Sequence, residues 1–325
     1  MRTLVSAVFI ASLLCFSISQ EYLNMTTCAY GGESGIEDKI FVINKSYLLA
    51  KKEEGKKDFI YEQDIIIITD EQKSRLDDNM SRKEVAGKKK TSHSLDLAFE
   101  YIKKDKKYEA RNILSDIYFN ETDNKIRNKI KTELDRLNAE LVFSTAPSPD
   151  SIIYFVKPGE TLIKIASKFD TTYKSIMRIN RKSRSTIKVG ERLKILNGKI
   201  SLLVDKSDFN LTVLLNGHFI KQYPVGIGMY DKTPEDVFIV KNKLENPVWY
   251  SPEGVYQPGD PRNLLGPRWI GFEEKEDLYG YGIHGTTEPE TIGKAMSNGC
   301  IRLNNEDVEE LYDFVKVKTK VIIQK

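Results

Sequence analysis

The chain contains 325 residues, of which 40% are hydrophobic and 30% are charged, as in ordinary globular proteins with two or three domains. Its 50 basic and 47 acidic residues leave a net charge of only +3, so the overall composition gives no reason to expect a nucleic-acid partner.

The first 19 residues predict a secretory signal. Met1-Arg2 provides a basic start, an uncharged apolar run covers 4–18, and Ser17 and Ser19 place small residues at the spacing that signal peptidase reads. The run is shorter than the ~20 apolar residues that span a bilayer, which favours cleavage over an uncleaved anchor. No later segment is long and apolar enough to cross a membrane. We therefore expect an exported protein, in the periplasm or cell wall, without stable membrane insertion after cleavage.

Residues 20–92 are rich in lysine and show no recognisable chemistry. The segment Phe59 to Thr69 contains four consecutive isoleucines and predicts a strand. The run Lys88-Lys89-Lys90 indicates a solvated segment. We expect 20–92 to be partly disordered.

Apolar residues recur at helical spacing across 93–143 and predict an α-helical region of about three helices. The pattern loosely resembles one or two tetratricopeptide-type hairpins. A single copy without a repeat favours a packing or spacer bundle instead. Residues 144–151 are rich in serine and proline and predict a linker.

Residues 152–197 predict a compact β-α-α-β unit. A strand at Ile152–Val156 leads through a Pro-Gly turn to a helix that Thr161 caps. A second helix is predicted near 174–180, and Arg192–Leu196 forms the closing strand.

This unit resembles the LysM domain family. The resemblance rests on the segments 154–162 (Tyr-Phe-Val-Lys-Pro-Gly-Glu-Thr-Leu) and 189–193 (Val-Gly-Glu-Arg-Leu), with Ile165-Ala166 and Asn180 between them. It implies binding to glycans that contain N-acetylglucosamine, such as peptidoglycan, in a groove beside the first strand–helix turn. The residues that the resemblance places at the groove are Gly159, Glu160, Thr161, Leu162, Ile187 and Val189. A stable spacer domain is the alternative.

Residues 199–325 predict a mainly-β domain. Leu211–Leu215 and Phe219–Tyr223 flank Asn216-Gly217, a strong hairpin signal. One helix is predicted at Glu306–Phe314, capped near Asn304 or Asn305. Further strands are predicted at Ile200–Val204, Val237–Val240, Trp249-Tyr250, Trp269–Phe272 and Val321–Ile323.

Of the three cysteines, Cys300 has the surroundings of a reactive thiol. Cys15 leaves with the predicted signal, so Cys28 and Cys300 remain, and two cysteines in an exported protein also permit a disulfide. Gly299 allows a tight turn that presents amide groups to an anion. Arg302 adds positive potential, which favours a thiolate. These neighbours favour a working thiol over a Cys28–Cys300 bridge.

The chain contains only three histidines, which narrows the search for a base. His93 lies in a polar stretch and His218 follows a predicted turn. His284 ends an apolar, strand-like run and precedes a glycine, so it can face a cleft. Together with Cys300 it indicates cysteine acyl transfer, in which a base removes the thiol proton. A structural cysteine with an unrelated histidine is the alternative.

Residues 199–324 resemble the L,D-transpeptidase (YkuD-like) catalytic domain. The resemblance rests on Gly282-Ile283-His284-Gly285-Thr286 and Ser297-Asn298-Gly299-Cys300-Ile301-Arg302. Supporting segments are Pro224–Gly228, Thr233-Pro234, Pro247–Trp249 and Asn263–Gly266. Asn298 stands where many members have histidine, and Glu235 stands where glycine usually follows Thr-Pro.

The resemblance assigns a role to each matched residue. Cys300 is the nucleophile and His284 the general base, oriented by the carbonyl of Gly285. The amides of Gly299 and Cys300 are the candidates for the oxyanion hole. Arg302 organises the site or pairs with a substrate carboxylate, and Ser297 shapes the turn.

The resemblance therefore implies a multidomain cell-wall enzyme: an N-terminal α-helical region, a small LysM-like unit and a mainly-β catalytic domain. It would release D-alanine from a tetrapeptide stem and form 3→3 cross-links between peptidoglycan stems. Hydrolysis of the same thioacyl intermediate, and wall binding without catalysis, are the alternatives. We expect no cofactor, and no metal site because no histidine and cysteine lie at zinc-ligand spacing.

Overall fold

The computed structural model describes residues 91–325 in full, together with the backbone of four strands in the N-terminal part. The chain divides into two compact units, Met1–Lys90 and Thr91–Lys325. The first unit contains an antiparallel sheet whose four strands follow chain order. These strands are β1 (Phe16–Gln20), β2 (Leu23–Cys28), β3 (Ile40–Ala50) and β4 (Phe59–Ile68).

The strand predicted around the isoleucine run is confirmed by β4. Residues 1–15 of the predicted signal and the segment 88–90 lie outside the described residues. Apart from the four strands and residues 91–92, the range 20–92 also lies outside the described residues, and its predicted partial disorder stays a prediction. In the part of the chain that the structure describes, no helix combines the length and the apolar surface needed to cross a bilayer.

Three helices begin the second unit. They share an apolar core to which Ala98, Leu114 and Leu134 contribute fully buried side chains, as the helical periodicity requires. Asp123 caps the third helix, because its carboxylate accepts two backbone amides of the first turn at 2.8 and 3.2 Å. The helices are α1 (residues 91–103), α2 (Lys107–Tyr118) and α3 (Asn124–Leu141).

The predicted β-α-α-β unit follows. Its elements are β5 (Ser151–Phe155), α4 (Leu162–Lys168), α5 (Tyr173–Ile179) and β6 (Arg192–Leu196). β5 pairs antiparallel with β6. The hydroxyls of Thr161 and Thr172 cap the two helices by accepting backbone amides at 3.3 and 2.9 Å. Leu162, Ile165 and Ile176 fill the small core between helices and sheet.

The remaining chain is mainly β. The strands of its main sheet are β7 (Ile200–Asp205), β8 (Asn210–Leu215), β9 (His218–Pro224), β11 (Asp236–Glu245), β14 (Arg268–Phe272), β15 (Gly282–His284), β17 (Ile301–Arg302) and β18 (Lys320–Gln324). They lie in the order β17-β15-β14-β11-β18-β7-β8-β9. Two small sheets pair β10 (Ile227–Gly228) with β16 (Ala295–Ser297), and β12 (Trp249–Ser251) with β13 (Gly254–Tyr256).

Local sequence signals account for the turns and the last helix. Asn216 and Gly217 both have positive φ, +53° and +84°, as a two-residue hairpin turn requires. The predicted helix is α6 (Asn305–Phe314), with Asn304 at its N-cap position. Val308 and Leu311 of this helix are fully buried against the sheet.

The helical region covers the edge strand β9. The backbone N–H of Phe219 donates to the Ser115 hydroxyl at 2.8 Å, and the Phe219 carbonyl accepts the Asn138 amide at 2.9 Å. The Phe219 side chain is fully buried in the core of the helical region. An edge strand whose backbone groups are satisfied this way is protected from pairing with another chain.

The predicted linker 144–151 carries a buried ionic contact at its end. The carboxylate of Asp150 pairs with Arg111 of α2, whose side chain is fully buried. The same carboxylate accepts hydrogen bonds from Tyr108 at 3.2 Å and from Asn216 at 3.3 Å. Asp150 therefore joins the helical region to the β7–β9 part of the sheet. The last part of the predicted linker thus takes part in the packing between these two regions.

The β-α-α-β unit also packs directly on the main sheet domain. Lys174 pairs with Glu245 at 2.6 Å, and Arg178 pairs with Asp313 of α6 at 2.6 Å. The Thr172 hydroxyl donates to the carbonyl of Asp313. These contacts fix the unit in place, which a flexible tether would not do.

Candidate active site

The two predicted catalytic residues lie at one end of the main sheet. His284 is the last residue of β15 and pairs in register with Arg302 of β17, the terminal strand. Cys300 immediately precedes β17. The turn before β17 therefore brings Cys300 to the start of the strand that lies beside His284.

His284 is held as a neutral imidazole. Its Nδ1 donates to the carbonyl of Gly285 at 2.5 Å, the contact that the sequence predicts. Burial lowers the pKa of His284 to about 4; the bond to Gly285 opposes this shift and the charge of Arg302 adds to it. With the proton on Nδ1, Nε2 carries the lone pair and can accept a proton. The indole of Trp269 stacks on the ring with centroids 5.8 Å apart.

Cys300 is a free, half-buried thiol. Its Sγ donates to the carbonyl of Gly280 at 3.6 Å, which turns it toward the start of β15. Burial raises the pKa of Cys300 to about 11, although a backbone hydrogen bond with Gly282 and the charge of Arg302 both lower it. Arg302 thus acts in the expected direction, toward the thiolate, but desolvation of the thiol outweighs its attraction. The resting pair is a thiol and a neutral imidazole.

Ser297 bridges the turn before the thiol through its hydroxyl. Its hydroxyl donates to the carbonyl of Cys300 at 2.6 Å and accepts the amide of Gly299 at 3.1 Å. Gly299 has φ +131°, and a Cβ there would lie 2.7 Å from the ring of Tyr281, so only glycine fits.

The turn corrects the predicted oxyanion hole. The amide of Gly299 is already bound to Ser297, so it is not available to a substrate. The amide of Cys300 donates to no acceptor within residues 91–325. Of the two predicted donors, only the backbone amide of Cys300 is therefore available to stabilise a developing oxyanion.

Arg302 organises the strand end. Its guanidinium pairs with Glu288 at 2.7 Å and reaches the Thr291 hydroxyl at 3.3 Å. Its backbone exchanges two hydrogen bonds with Gly226, at 2.8 and 2.9 Å. Nε of Arg302 is buried and lacks a partner among the described residues. The predicted pairing with a substrate carboxylate stays a prediction.

Thr233 is a site residue to which the sequence analysis assigned no role. Its buried hydroxyl donates to the carbonyl of Gly299 at 2.8 Å and accepts the amide of Gly228 at 2.7 Å. The hydroxyl therefore fixes the turn that presents Cys300. The sequence marked Thr233 only through the Thr233-Pro234 pair, which indicated the family but not a role for the threonine hydroxyl.

The segment around Thr233 is anchored by Lys206, the residue that follows β7. Lys206 is buried and pairs with Glu235 at 3.0 Å and with Asp231. Glu235 occupies the position where the family pattern has glycine, and the structure gives it a partner. Glu235, which replaces the glycine of the family pattern, thus helps to hold the segment that contains Thr233.

Asn305 steadies the histidine side of the site. Its Oδ1 accepts the amide of Thr286 at 2.9 Å, and a Cβ at Gly285 would collide with the same oxygen. The sequence indicated Asn305 only as a possible helix cap. The structure instead uses its side chain to hold the segment that orients His284.

The residues predicted to bind glycan lie in two segments of the β-α-α-β unit, one after β5 and one before β6. Their side chains differ in exposure. Val189 is 66% exposed and Gly159 has φ +76° in an open turn. The carboxylate of Glu160 accepts the Tyr154 hydroxyl at 2.6 Å and the amide of Lys157 at 2.8 Å.

The other predicted groove residues serve the fold of this unit. The Thr161 hydroxyl is used as the α4 cap. Ile187 packs against the core and Leu162 lies inside it, so the Leu162 side chain cannot face a ligand.

Within residues 91–325 and the other described segments, no three His, Cys, Asp or Glu side chains cluster as a metal site would require.

Alkylation of Cys300 should report its raised pKa. We expect the rate of modification by iodoacetamide to rise about tenfold per pH unit from neutral pH toward pH 11, since only the thiolate reacts. Peptide mapping by mass spectrometry at several pH values measures this rate at Cys300 separately from Cys28. A rate that is already constant below pH 8 would show a stabilised thiolate and contradict the desolvated thiol.

Comparison with known proteins identifies the two modules. Residues 199–323 match the L,D-transpeptidase catalytic domain family (YkuD), and residues 154–196 match the LysM domain family. YqjB of Bacillus subtilis is 42% identical over 130 residues, which cover 39% of this chain and 73% of that protein. YkuD of Bacillus licheniformis is 33% identical over 183 residues, which cover 53% of this chain and 98% of that protein. Both relatives carry names that describe L,D-transpeptidases.

Proposed function

Since the chain belongs to the YkuD family of L,D-transpeptidases, we propose that it is an exported enzyme that forms 3→3 cross-links in peptidoglycan. The observation that carries this proposal is His284 at the end of β15, beside the strand that Cys300 immediately precedes, with Nδ1 of His284 bound to the Gly285 carbonyl.

The first half of the reaction acylates Cys300. Sγ attacks the carbonyl carbon of the third residue of a tetrapeptide stem, while Nε2 of His284 takes the thiol proton. Because the resting groups are both neutral, proton transfer accompanies attack. The oxyanion forms beside the amide of Cys300. Collapse expels the amine of D-alanine, which takes the proton from His284, and leaves a thioester on Cys300.

The second half transfers the acyl group. The side-chain amine of a diamino acid in another stem attacks the thioester, and Nε2 of His284 removes its proton. The new amide forms as the Cys300–carbon bond breaks, and the sulfur regains a proton from His284. If water attacks instead, the same residues perform an L,D-carboxypeptidase reaction.

The LysM domain supports glycan binding at a fixed position. The sequence of this unit is compatible with glycan binding or with a spacer role, and the LysM match supports glycan binding. Its ion pairs with the catalytic domain, through Lys174 and Arg178, support a rigid placement rather than a loose tether. A bound glycan strand would therefore approach the catalytic domain in a set orientation.

The test is incubation of the purified full-length protein with tetrapeptide muropeptides. We expect cross-linked dimers and free D-alanine by mass spectrometry with the wild type and neither with Cys300→Ala. A ratio that strongly favours tripeptide over dimer would assign the carboxypeptidase reaction. Identical products from wild type and Cys300→Ala would refute the proposal.

Replacing Thr233 by valine should lower kcat about 10–100-fold, because the turn that carries Cys300 loses its hydroxyl contact. Steady-state kinetics should place the loss in kcat more than in KM, and Thr233→Ser should restore most of it. A purely structural role would instead lower the melting temperature and leave kcat of the folded fraction unchanged.

A further inference from the structure

A cleft of about 680 Å³ lies at the seam between the LysM domain and the catalytic domain. α5 and the loop after it form one wall, and α6 with Arg268 of β14 forms the other. A second cleft of about 710 Å³ adjoins the first and shares Lys182, Ser183 and Arg184 with it. The two together are named the basic cleft, and each is large enough for a ligand.

The basic cleft concentrates positive charge in a nearly balanced chain. The segment 173–188 contains six lysine or arginine residues and no aspartate or glutamate, whereas the whole chain has a net charge of only +3. Three carboxylates also line the basic cleft: Glu191, Glu309 and Asp313. The seven basic side chains that line it are Lys174, Arg178, Arg181, Lys182, Arg184, Lys188 and Arg268.

Part of this charge has no internal partner. Lys174 and Arg178 pair across the seam, and Lys182 pairs with Glu191. Arg181 and Arg184 are exposed and form no ion pair among the described residues. Two unpaired guanidinium groups are thus exposed to solvent beside basic side chains that form ion pairs within the basic cleft.

Arg181 occupies a left-handed backbone position. Arg181 follows α5 with φ +53°, and its amide donates to the Arg178 carbonyl at 3.1 Å, so it occupies a left-handed helix-end position. Glycine or asparagine is favoured there, because a Cβ costs free energy in this conformation. Replacing Arg181 by glycine therefore removes its charge and relieves this backbone cost at the same time.

We propose that the basic cleft binds a linear anionic polymer of the cell wall whose phosphodiester groups repeat along the chain. Guanidinium groups bind phosphate oxygens in pairs, and the hydroxyls of Ser183 and Ser185 add neutral donors along the path. An open cleft continuous over two compartments fits an extended chain better than a compact anion. Tyr173 is the sole aromatic lining residue, which disfavours a nucleic acid because bases need stacking partners.

The test is binding of linear poly(glycerol phosphate) to the full-length protein over a series of salt concentrations. The variant is Arg181→Gly with Arg184→Gln, which relieves the left-handed backbone while it removes two charges. The matched control is Lys129→Gln with Lys199→Gln, which removes two exposed lysines far from the basic cleft in sequence. Melting temperature and cross-linking of soluble muropeptides are measured for all three proteins.

We expect the cleft variant to bind at least about tenfold more weakly and to reduce the slope of log Kd against log salt by about two. The control should bind as the wild type does, and the cleft variant should keep its melting temperature and its muropeptide activity. Equal losses in both variants, or none in the cleft variant, would overturn the proposal. The proposal would also be overturned if single-stranded RNA of equal charge bound as tightly and lost the same affinity in the Arg181→Gly and Arg184→Gln variant.

Discussion

Cys300→Ser is expected to lower the rate of D-alanine release from a tetrapeptide donor by at least about 10³-fold. The serine hydroxyl is a far weaker acid than the thiol, and His284, with a pKa of about 4, is too weak a base to activate it. The fold should persist, because a half-buried oxygen replaces a half-buried sulfur of similar shape. Released D-alanine and the melting temperature are the two measurements.

Cys28→Ser provides the matched control for this loss, since Cys28 is the other thiol that remains after the predicted cleavage. It should release D-alanine at the wild-type rate. A Cys300→Ser enzyme that keeps more than about a tenth of the wild-type rate would be incompatible with covalent catalysis by Cys300.

Asp150→Ala is expected to reduce the free energy of unfolding by about 3–5 kcal/mol, because the fully buried Arg111 guanidinium would lose its counter-ion. The carboxylate also accepts hydrogen bonds from Tyr108 and Asn216, so their donors lose an acceptor. For a unit of this size, the loss corresponds to a melting temperature roughly 10 °C lower.

Asp208→Ala is the control for the buried pair. Asp208 also joins the helical region to the sheet domain, through Arg127, but both side chains are partly exposed. Its removal should cost no more than about 1 kcal/mol. Equal effects of the two substitutions in urea unfolding would mean that burial does not set the strength of the Asp150 contact.

Much of the fold could be predicted because its signals are local. Thr161 caps α4, and Asn216-Gly217 supports the two positive φ angles of the β8–β9 hairpin. The pairing of Cys300 with His284 was also predictable, since few histidines compete and His284 is the one that precedes a glycine on an apolar strand.

The remaining features depend on contacts between segments that lie far apart in the chain. Thr233 reaches Gly299 across 66 positions, and Asp150 reaches Arg111 across 39. A threonine before proline and an aspartate after serines and prolines carry no local mark of these partners. Burial likewise decides the protonation state of Cys300. The charge of Arg302, which the sequence shows, lowers the pKa of the thiol, but desolvation in the packed site raises it by more.

The most direct test of the central claim is the intact mass of the full-length protein after a short reaction with a tetrapeptide donor whose side-chain amine is blocked by acetylation, so that no acceptor amine is present. We predict a single adduct that adds the mass of the donor minus the mass of free D-alanine, located on Cys300 by peptide mapping and lost with hydroxylamine. No adduct, an adduct on Cys28, or an adduct that retains the terminal D-alanine would contradict the proposed reaction.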